Sequence, residues 1–447
     1  MASYDIVITG GRVVTPDGIQ QVSIGVRDGK FAAIGELSAK DATRTIAAEG
    51  RLVLPGVVDS HVHVRDPGYT HKEDFASCSA AAAAAGITTI MCMPNTDPLL
   101  DSAAGFHATV DAAKKSIVDF SLQGLATPRN LDAVPALKEL GVVTFEVFLA
   151  GPESLISGTR TEQHAVFQAV AGVDGIAGVY PDDPPANAVL DKVGSGTPDD
   201  LVRSHPPELE IGSLLPAVAM AAAAGCRVHY RQMSSALSAR VAAWIRAHTM
   251  PGRFTTEVTP HHLTLTTDDF REAGPAGYIM PPLRSRDDVE ALWHALGDGV
   301  VDTIGTDHAP HAWVEKIAGD GDLRRAMPGF PGVETFLPAI FTAFVKRGYA
   351  VTDFVNFTTA NPARLFGLYP RKGAIAVGSD ADIAIVDDSD TWTIDPSTFR
   401  SKAQYSPYAG HEVSAHVDLT MVRGKVVFEN GEVVGGAGDG CLQTPFG

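Results

Sequence analysis

The feature that most narrows what this chain can fold into is a repeat that fills its middle, from about residue 56 to 368. Short apolar runs alternate there with alanine-rich stretches. GITTIMCMPN follows SCSAAAAAA, GVVTFEVFLA follows DAVPALKEL, CRVHYRQM follows LLPAVAMAAAA, and VDTIGTDH follows DVEALWHAL. The first member of each pair has strand length and β-branched residues; the second has helical length and composition. Strands that alternate with helices pair in parallel, because a parallel connection needs a crossover long enough to hold a helix. Repeated βα units over about 300 residues are closed most economically as a (β/α)8 TIM-type barrel.

Both chain ends read differently. YDIVITGGRVV and VSIGVRDGKFAAIG, then DADIAIVDD and HVDLTMVRGKVVFENGEVV, are short strands broken by turn signals at Asp17-Gly18, Asp28-Gly29 and Asn430-Gly431. The expectation is an α/β protein of two parts. Residues 1–55 and 369–447 pair in space as a small β-sandwich domain, and residues 56–368 form the barrel.

Acidic residues outnumber basic ones by 53 to 35, for a net charge of −18, which argues against nucleic acid or an anionic membrane surface as partner. The four cysteines, Cys78, Cys92, Cys226 and Cys441, are scattered, so neither a thiolate zinc site nor a disulfide framework is expected. MASYDIVITGG lacks the charge-then-apolar pattern of a secretory signal, so the expected location is the cytoplasm.

The chemistry concentrates at the predicted ends of barrel strands, the face that carries active sites in this architecture. In DSHVHVRDPG, alternation along a strand places His61 and His63 on one side, where two imidazoles can bind one metal ion. In GTDHAPH, Asp307 ends a late strand beside two histidines; such a carboxylate can ligate a metal or move a proton. Taken singly, these are core histidines and a helix cap; on one barrel they point to a shared site. His229 stands three residues before Gln232, an odd spacing that sends it to the other face of its strand, and is read as structural.

HVHVRDPG, MPNTDP, TPHHLTLT, MPPLR, GTDHAPH and FPGVETFLP, with GSDADIAIVD near the end, resemble the cyclic-amidohydrolase branch of the amidohydrolase superfamily. That branch includes dihydroorotases, allantoinases and hydantoinases. The resemblance covers nearly the whole chain. It implies two metals: a buried one on two histidines and a late aspartate, an exposed one on two further histidines, and a carboxylated lysine bridging both. Carried over position by position, His61, His63 and Asp307 are kept. The lysine position holds Glu146, and the two further histidine positions hold Tyr180 and Gln232. The expectation is therefore a single divalent metal, zinc with manganese or iron as alternatives, on His61, His63, Asp307 and Glu146.

The resemblance further implies a catalytic role for Asp307 in proton transfer. It places Arg65, Asn95, His311 and Gly332 on the substrate side, as in dihydroorotase-like members that bind a carboxylate. FLAGPES, after Glu146, lacks the tyrosine of hydantoinase-like members. The function expected is hydrolysis of the ring C–N bond of a small cyclic amide or imide by a homodimer or homotetramer. The alternatives are a catalytically inactive homologue that serves as a structural or assembly partner, and a changed reaction on the same scaffold.

Overall fold

The computed structural model describes residues 3–155, 158–192 and 194–445. Eight parallel strands form the barrel. They are Val57–Val62, Ile87–Cys92, Asp119–Leu122 continued by Gly124–Leu125, Phe145–Phe148, Ile176–Tyr180, Arg227–Tyr230, Phe254–Val258 and Thr303–Ile304. Neighbours pair in chain order. The circle closes where Val62 bridges His308 in parallel and the His63 N–H donates to the His308 carbonyl at 2.8 Å. Asp59 reinforces the seam from the first strand, accepting the Thr306 N–H at 2.9 Å and its Oγ1–H at 2.6 Å. The expected α/β barrel is therefore the observed fold.

Local sequence chemistry accounts for the elements. ITTIMC is buried along its whole length, as a strand covered on both faces must be. The helix Phe75–Ala84 starts at a capping box of Asp74 and Ser77, and its alanines lie close against the barrel. The helix Pro207–Ala224 stops at Gly225, whose φ of 74° places it in the left-handed region. Among the described residues, no helix is long and apolar enough to cross a membrane.

The chain ends build two further sheets. One orders residues 432–433, 425–429, 416–422, 383–387, 52–55, 12–15 and 18–20; the other orders 30–35, 23–27, 4–9 and 42–47. Leu52–Pro55 pairs antiparallel with Ile383–Asp387, so the first and last segments share a sheet. Ile8, Ile24, Val53, Ile383 and Leu419 fill the space between the sheets. Asn430 and Gly431 form the hairpin turn the sequence suggests, with φ of 52° and 84°, as a two-residue turn of this hand requires. Asp28-Gly29 does likewise, whereas Gly18 already pairs with Thr15, leaving Pro16 and Asp17 as the turn.

A buried ion cluster joins the two parts. Lys372 is fully buried, and its Nζ reaches Asp119 of the third barrel strand, Asp382 at 2.7 Å and Asp380 at 3.1 Å. Arg423 adds a second cation to Asp119 at 3.1 Å. The three carboxylates lie close enough to suggest a metal group, but the ammonium of Lys372 already sits among them. Removing one partner of a buried ion cluster costs about 3–5 kcal/mol, because the others keep their charge. Lys372→Met is expected to lose about that much stability in chemical denaturation; a loss below about 1 kcal/mol would contradict a structural role for the cluster.

Candidate functional site

The strands deliver their polar residues to one end of the barrel. Arg65, Gln232 and Asp307, just beyond the first, sixth and eighth strands, have φ of 66°, 56° and 49°. Non-glycine residues pay for left-handed backbone, and here the sharp turn aims each side chain inward over the strand ends. They border a cavity of about 550 Å³.

At its floor the Nε2 atoms of His61 and His63 both lie 3.2 Å from Asp307 Oδ1. The opposite ring nitrogens are engaged: His61 Nδ1 meets Glu257 Oε1 at 2.7 Å, and His63 Nδ1 meets Asn95 Oδ1 at 2.7 Å. A carboxylate and an amide oxygen only accept, so each Nδ1 carries a proton, and in its neutral form each ring presents a bare Nε2. Three lone pairs then converge on one point, and the cluster demands positive charge there. Burial pushes the His63 imidazole down to about 4, which keeps it a neutral ligand. Burial also works against a charged His61, but the carboxylates of Glu257 and Asp307 outweigh it and the net direction is upward. Two imidazole nitrogens and one carboxylate oxygen, all buried and each imidazole fixed by an outer partner, fit a divalent metal. Gln232 donates its amide N–H to the other Asp307 oxygen, and its own Oε1 is buried without a partner.

Glu146 does not join this trio. Its Oε1 accepts from an Arg231 terminal nitrogen at 2.7 Å and from Thr144 Oγ1 at 3.0 Å, and its Oε2 accepts from Arg231 Nε at 3.3 Å. The expectation of Glu146 as a ligand is thus corrected: a buried carboxylate goes to the nearest cation, and the chain supplies one. The neighbouring strand is shaped to this arrangement, since a Cβ on Gly178 would lie 2.3 Å from Glu146 Oε1. Tyr180 lines the cavity edge-on to Phe148, and burial pushes its phenol well above the usual range, so it offers no phenolate.

The expected substrate residues divide. Arg65 and His311 meet at the cavity wall, with an Arg65 terminal nitrogen 3.3 Å from His311 Nε2. Lys72, which the sequence did not single out, completes a basic corner 3.1 Å from His311 Nδ1 and pairs with Glu315 at 3.0 Å. Burial, then the charges of Arg65 and Lys72, push His311 down to about 2 and hold it neutral. Asn95 borders the cavity, but its amide oxygen is committed to His63. Gly332 does not line the cavity; its N–H donates to His308 Nδ1 at 3.1 Å, at the start of the helix Val333–Lys346. That expectation is corrected too. His229 is structural as read, with Nδ1 on Thr255 Oγ1 at 2.9 Å.

Sequence reasoning also missed Arg231, Glu257 and Lys316. The first two are fully buried and paired at 2.8 Å; the signal was a charged residue inside each of two strand-like runs. Lys316 Nζ donates to the carbonyls of Tyr278, Met327 and Gly329 at 3.0, 2.8 and 2.7 Å, tying together two loops at the cavity rim.

The profile of the amidohydrolase family matches residues 52–172 and 213–427. The allantoinase of Streptomyces avermitilis is 33% identical over 441 residues, 97% of either chain. The dihydroorotase of Methanosarcina mazei is 32% identical over 434 residues, 95% of this chain and 94% of its own. The solved structure of an L-hydantoinase (dihydropyrimidinase) from Arthrobacter aurescens superposes with a TM-score of 0.94 at 34% identity, covering 99% of this chain and 100% of that one.

Because outer partners set which imidazole nitrogen is bare, Glu257→Gln is expected to weaken divalent-metal affinity about 10- to 100-fold without unfolding the chain. Isothermal titration with Zn²⁺ checks this; unchanged affinity would remove Glu257 from the site.

Proposed function

Since the chain belongs to the amidohydrolase family, we propose that it opens the ring C–N bond of a small cyclic amide or imide bearing a carboxylate, with a single divalent metal held by His61, His63 and Asp307. The observation that carries this reading is the convergence of two bare Nε2 atoms on Asp307 Oδ1 at 3.2 Å, with both opposite nitrogens engaged. The family and its relatives make the chain a hydrolase of cyclic amide C–N bonds. The metal count, the carboxylate and the following roles are this reading's own.

A divalent metal at this trio supplies Lewis acidity and brings the pKa of water towards about 7, with zinc the favoured ion for an N₂O set and manganese or iron as alternatives. Asp307 takes the proton of the attacking water and returns it to the ring nitrogen as that nitrogen leaves. The Gln232 amide, donating to one Asp307 oxygen, holds the carboxylate in its rotamer while this happens. Arg65 and Lys72, in the basic corner around neutral His311, bind the substrate carboxylate; the guanidinium fork suits its two oxygens. Leu99, Phe148 and Leu155, an apolar cluster on the cavity lining, keep bulk water from the reacting bond. A homodimer or homotetramer remains the proposed assembly.

Metal analysis of the purified chain, paired with turnover of dihydroorotate, hydantoin, dihydrouracil and allantoin, tests the proposal. One equivalent of metal and preference for the carboxylate-bearing ring are expected. Asp307→Asn abolishes turnover, and Arg65→Ala lowers kcat/KM for dihydroorotate about 10- to 100-fold, the worth of a charge-assisted hydrogen bond, while sparing hydantoin. A metal-free protein inert after Zn²⁺ or Mn²⁺ addition overturns the proposal and leaves the reading of an inactive homologue with a structural or assembly role.

A further inference from the structure

One buried charged group takes no part in the chemistry above: the guanidinium of Arg231, which follows the sixth barrel strand and borders the cavity floor with no exposed surface. All five of its N–H groups are committed inside the barrel. Nε donates to Glu146 Oε2 at 3.3 Å. One terminal nitrogen donates to Glu257 Oε2 at 2.8 Å and to the Ser60 carbonyl at 3.2 Å. The other donates to Glu146 Oε1 at 2.7 Å and to Gln123 Oε1. With no N–H to spare, Arg231 cannot hydrogen-bond a substrate, so what it contributes is position and charge.

Its two anionic partners are the informative part. Glu257 is the residue that orients His61. Glu146 stands on the fourth strand, at the position to which the resemblance assigns the ligand bridging two ions, and its carboxylate is already neutralised by a cation bonded to the chain. Two glycines are cut to this pose. A Cβ on Gly178 would lie 2.3 Å from Glu146 Oε1, and one on Gly305 would lie 2.7 Å from Glu257 Oε2. A divalent ion placed against Glu146 would face the guanidinium of Arg231 within a few ångströms, and like charges in a poorly screened interior repel strongly.

We infer that Arg231 is the built-in cation of this barrel: by holding Glu146 and Glu257 it takes the charge position of a second metal and limits the site to one. This rests on the single-metal reading of His61, His63 and Asp307. An arginine is needed rather than a lysine, because a planar fork can serve two carboxylates, a carbonyl and an amide together, and an ammonium has three donors. Arg231 is a positioning residue, since it reaches the trio only through Glu257.

The experiment measures bound metal by mass spectrometry, after equilibration with Zn²⁺ and separately with Mn²⁺, in the parent chain, Arg231→Met and the double variant Arg231→Met/Glu146→Gln. Thermal unfolding with and without metal accompanies each. Arg231→Met, which frees an anionic oxygen ligand, is expected to hold about one equivalent more than the parent and to gain more in Tm from added metal. The double variant, with that ligand neutralised, returns to the parent count. Arg231→Met that folds and keeps the parent count, or a double variant that keeps the additional ion, overturns the inference. If Arg231→Met is unfolded without metal, recovery of the parent circular dichroism on adding either ion supports the inference, and failure to recover overturns it. The difference between variant and parent reads the inference, whereas the parent's own count reads the one-metal proposal. A parent with no metal sinks both, as does a parent with two; a parent with one ion and an Arg231→Met variant with the same count sinks the inference alone.

Discussion

The structure turns on a charge buried where a barrel ordinarily packs hydrocarbon. The Arg231 guanidinium lies in the interior with Glu146 and Glu257 at 2.7 and 2.8 Å. An isolated ion in such a place is prohibitively costly, and a pair is tolerated only when its remaining donors and acceptors are satisfied. Here Ser60, Thr144 and Gln123 satisfy them, and glycines at 178 and 305 leave the room. Five of the eight barrel strands contribute a partner to this arrangement, and two more abut it through Gly178 and Gly305. The centre of the barrel is therefore a fixed electrostatic frame, and the residues above it are oriented by what it leaves unpaired.

That orientation is transmitted by hydrogen bonds that converge on Glu257 from both sides. Arg231 donates to Glu257, Glu257 accepts from His61 Nδ1, and the bare His61 Nε2 turns to Asp307. Asn95 does the same for His63 from the second barrel strand's loop. Each link puts the proton on Nδ1, and the two fixed rings turn their Nε2 atoms to the same Asp307 oxygen. The seam of the barrel falls at the same place: Asp59 and Thr306 lock the first strand to the eighth two residues from His61 and one from Asp307.

The cavity above carries two cations together and is otherwise lined partly by hydrocarbon. Arg65, Lys72 and His311 crowd one corner, and burial, reinforced by the two cations, keeps the imidazole between them neutral. Leu99, Phe148 and Leu155 line the cavity as an apolar cluster. The rim is held by Lys316, which spends its three protons on three backbone carbonyls of two separate loops. Burial pushes its amine down to about 7, consistent with donors satisfied by carbonyls alone and no carboxylate to hold the charge.

The sequence by itself determined the barrel, the joining of the chain ends, and the grouping of His61, His63 and Asp307 at one end of it. These follow from local rules: strand and helix periods, turn residues, and alternation that puts two histidines on one face. It also marked Arg65 and His311. It did not determine where Glu146 would turn, because a carboxylate on the fourth strand has no preference until a partner from the sixth arrives; only closure of the sheet brought Arg231 to it. Glu257 and Asn95 were illegible as outer partners for the same reason, and Gly332 looked like a substrate residue until packing gave its N–H to His308. Spacing along a chain records which side chains share a face, but which of several buried charges will pair is settled by three-dimensional proximity in a medium that screens poorly, and that was decided by the tertiary structure alone.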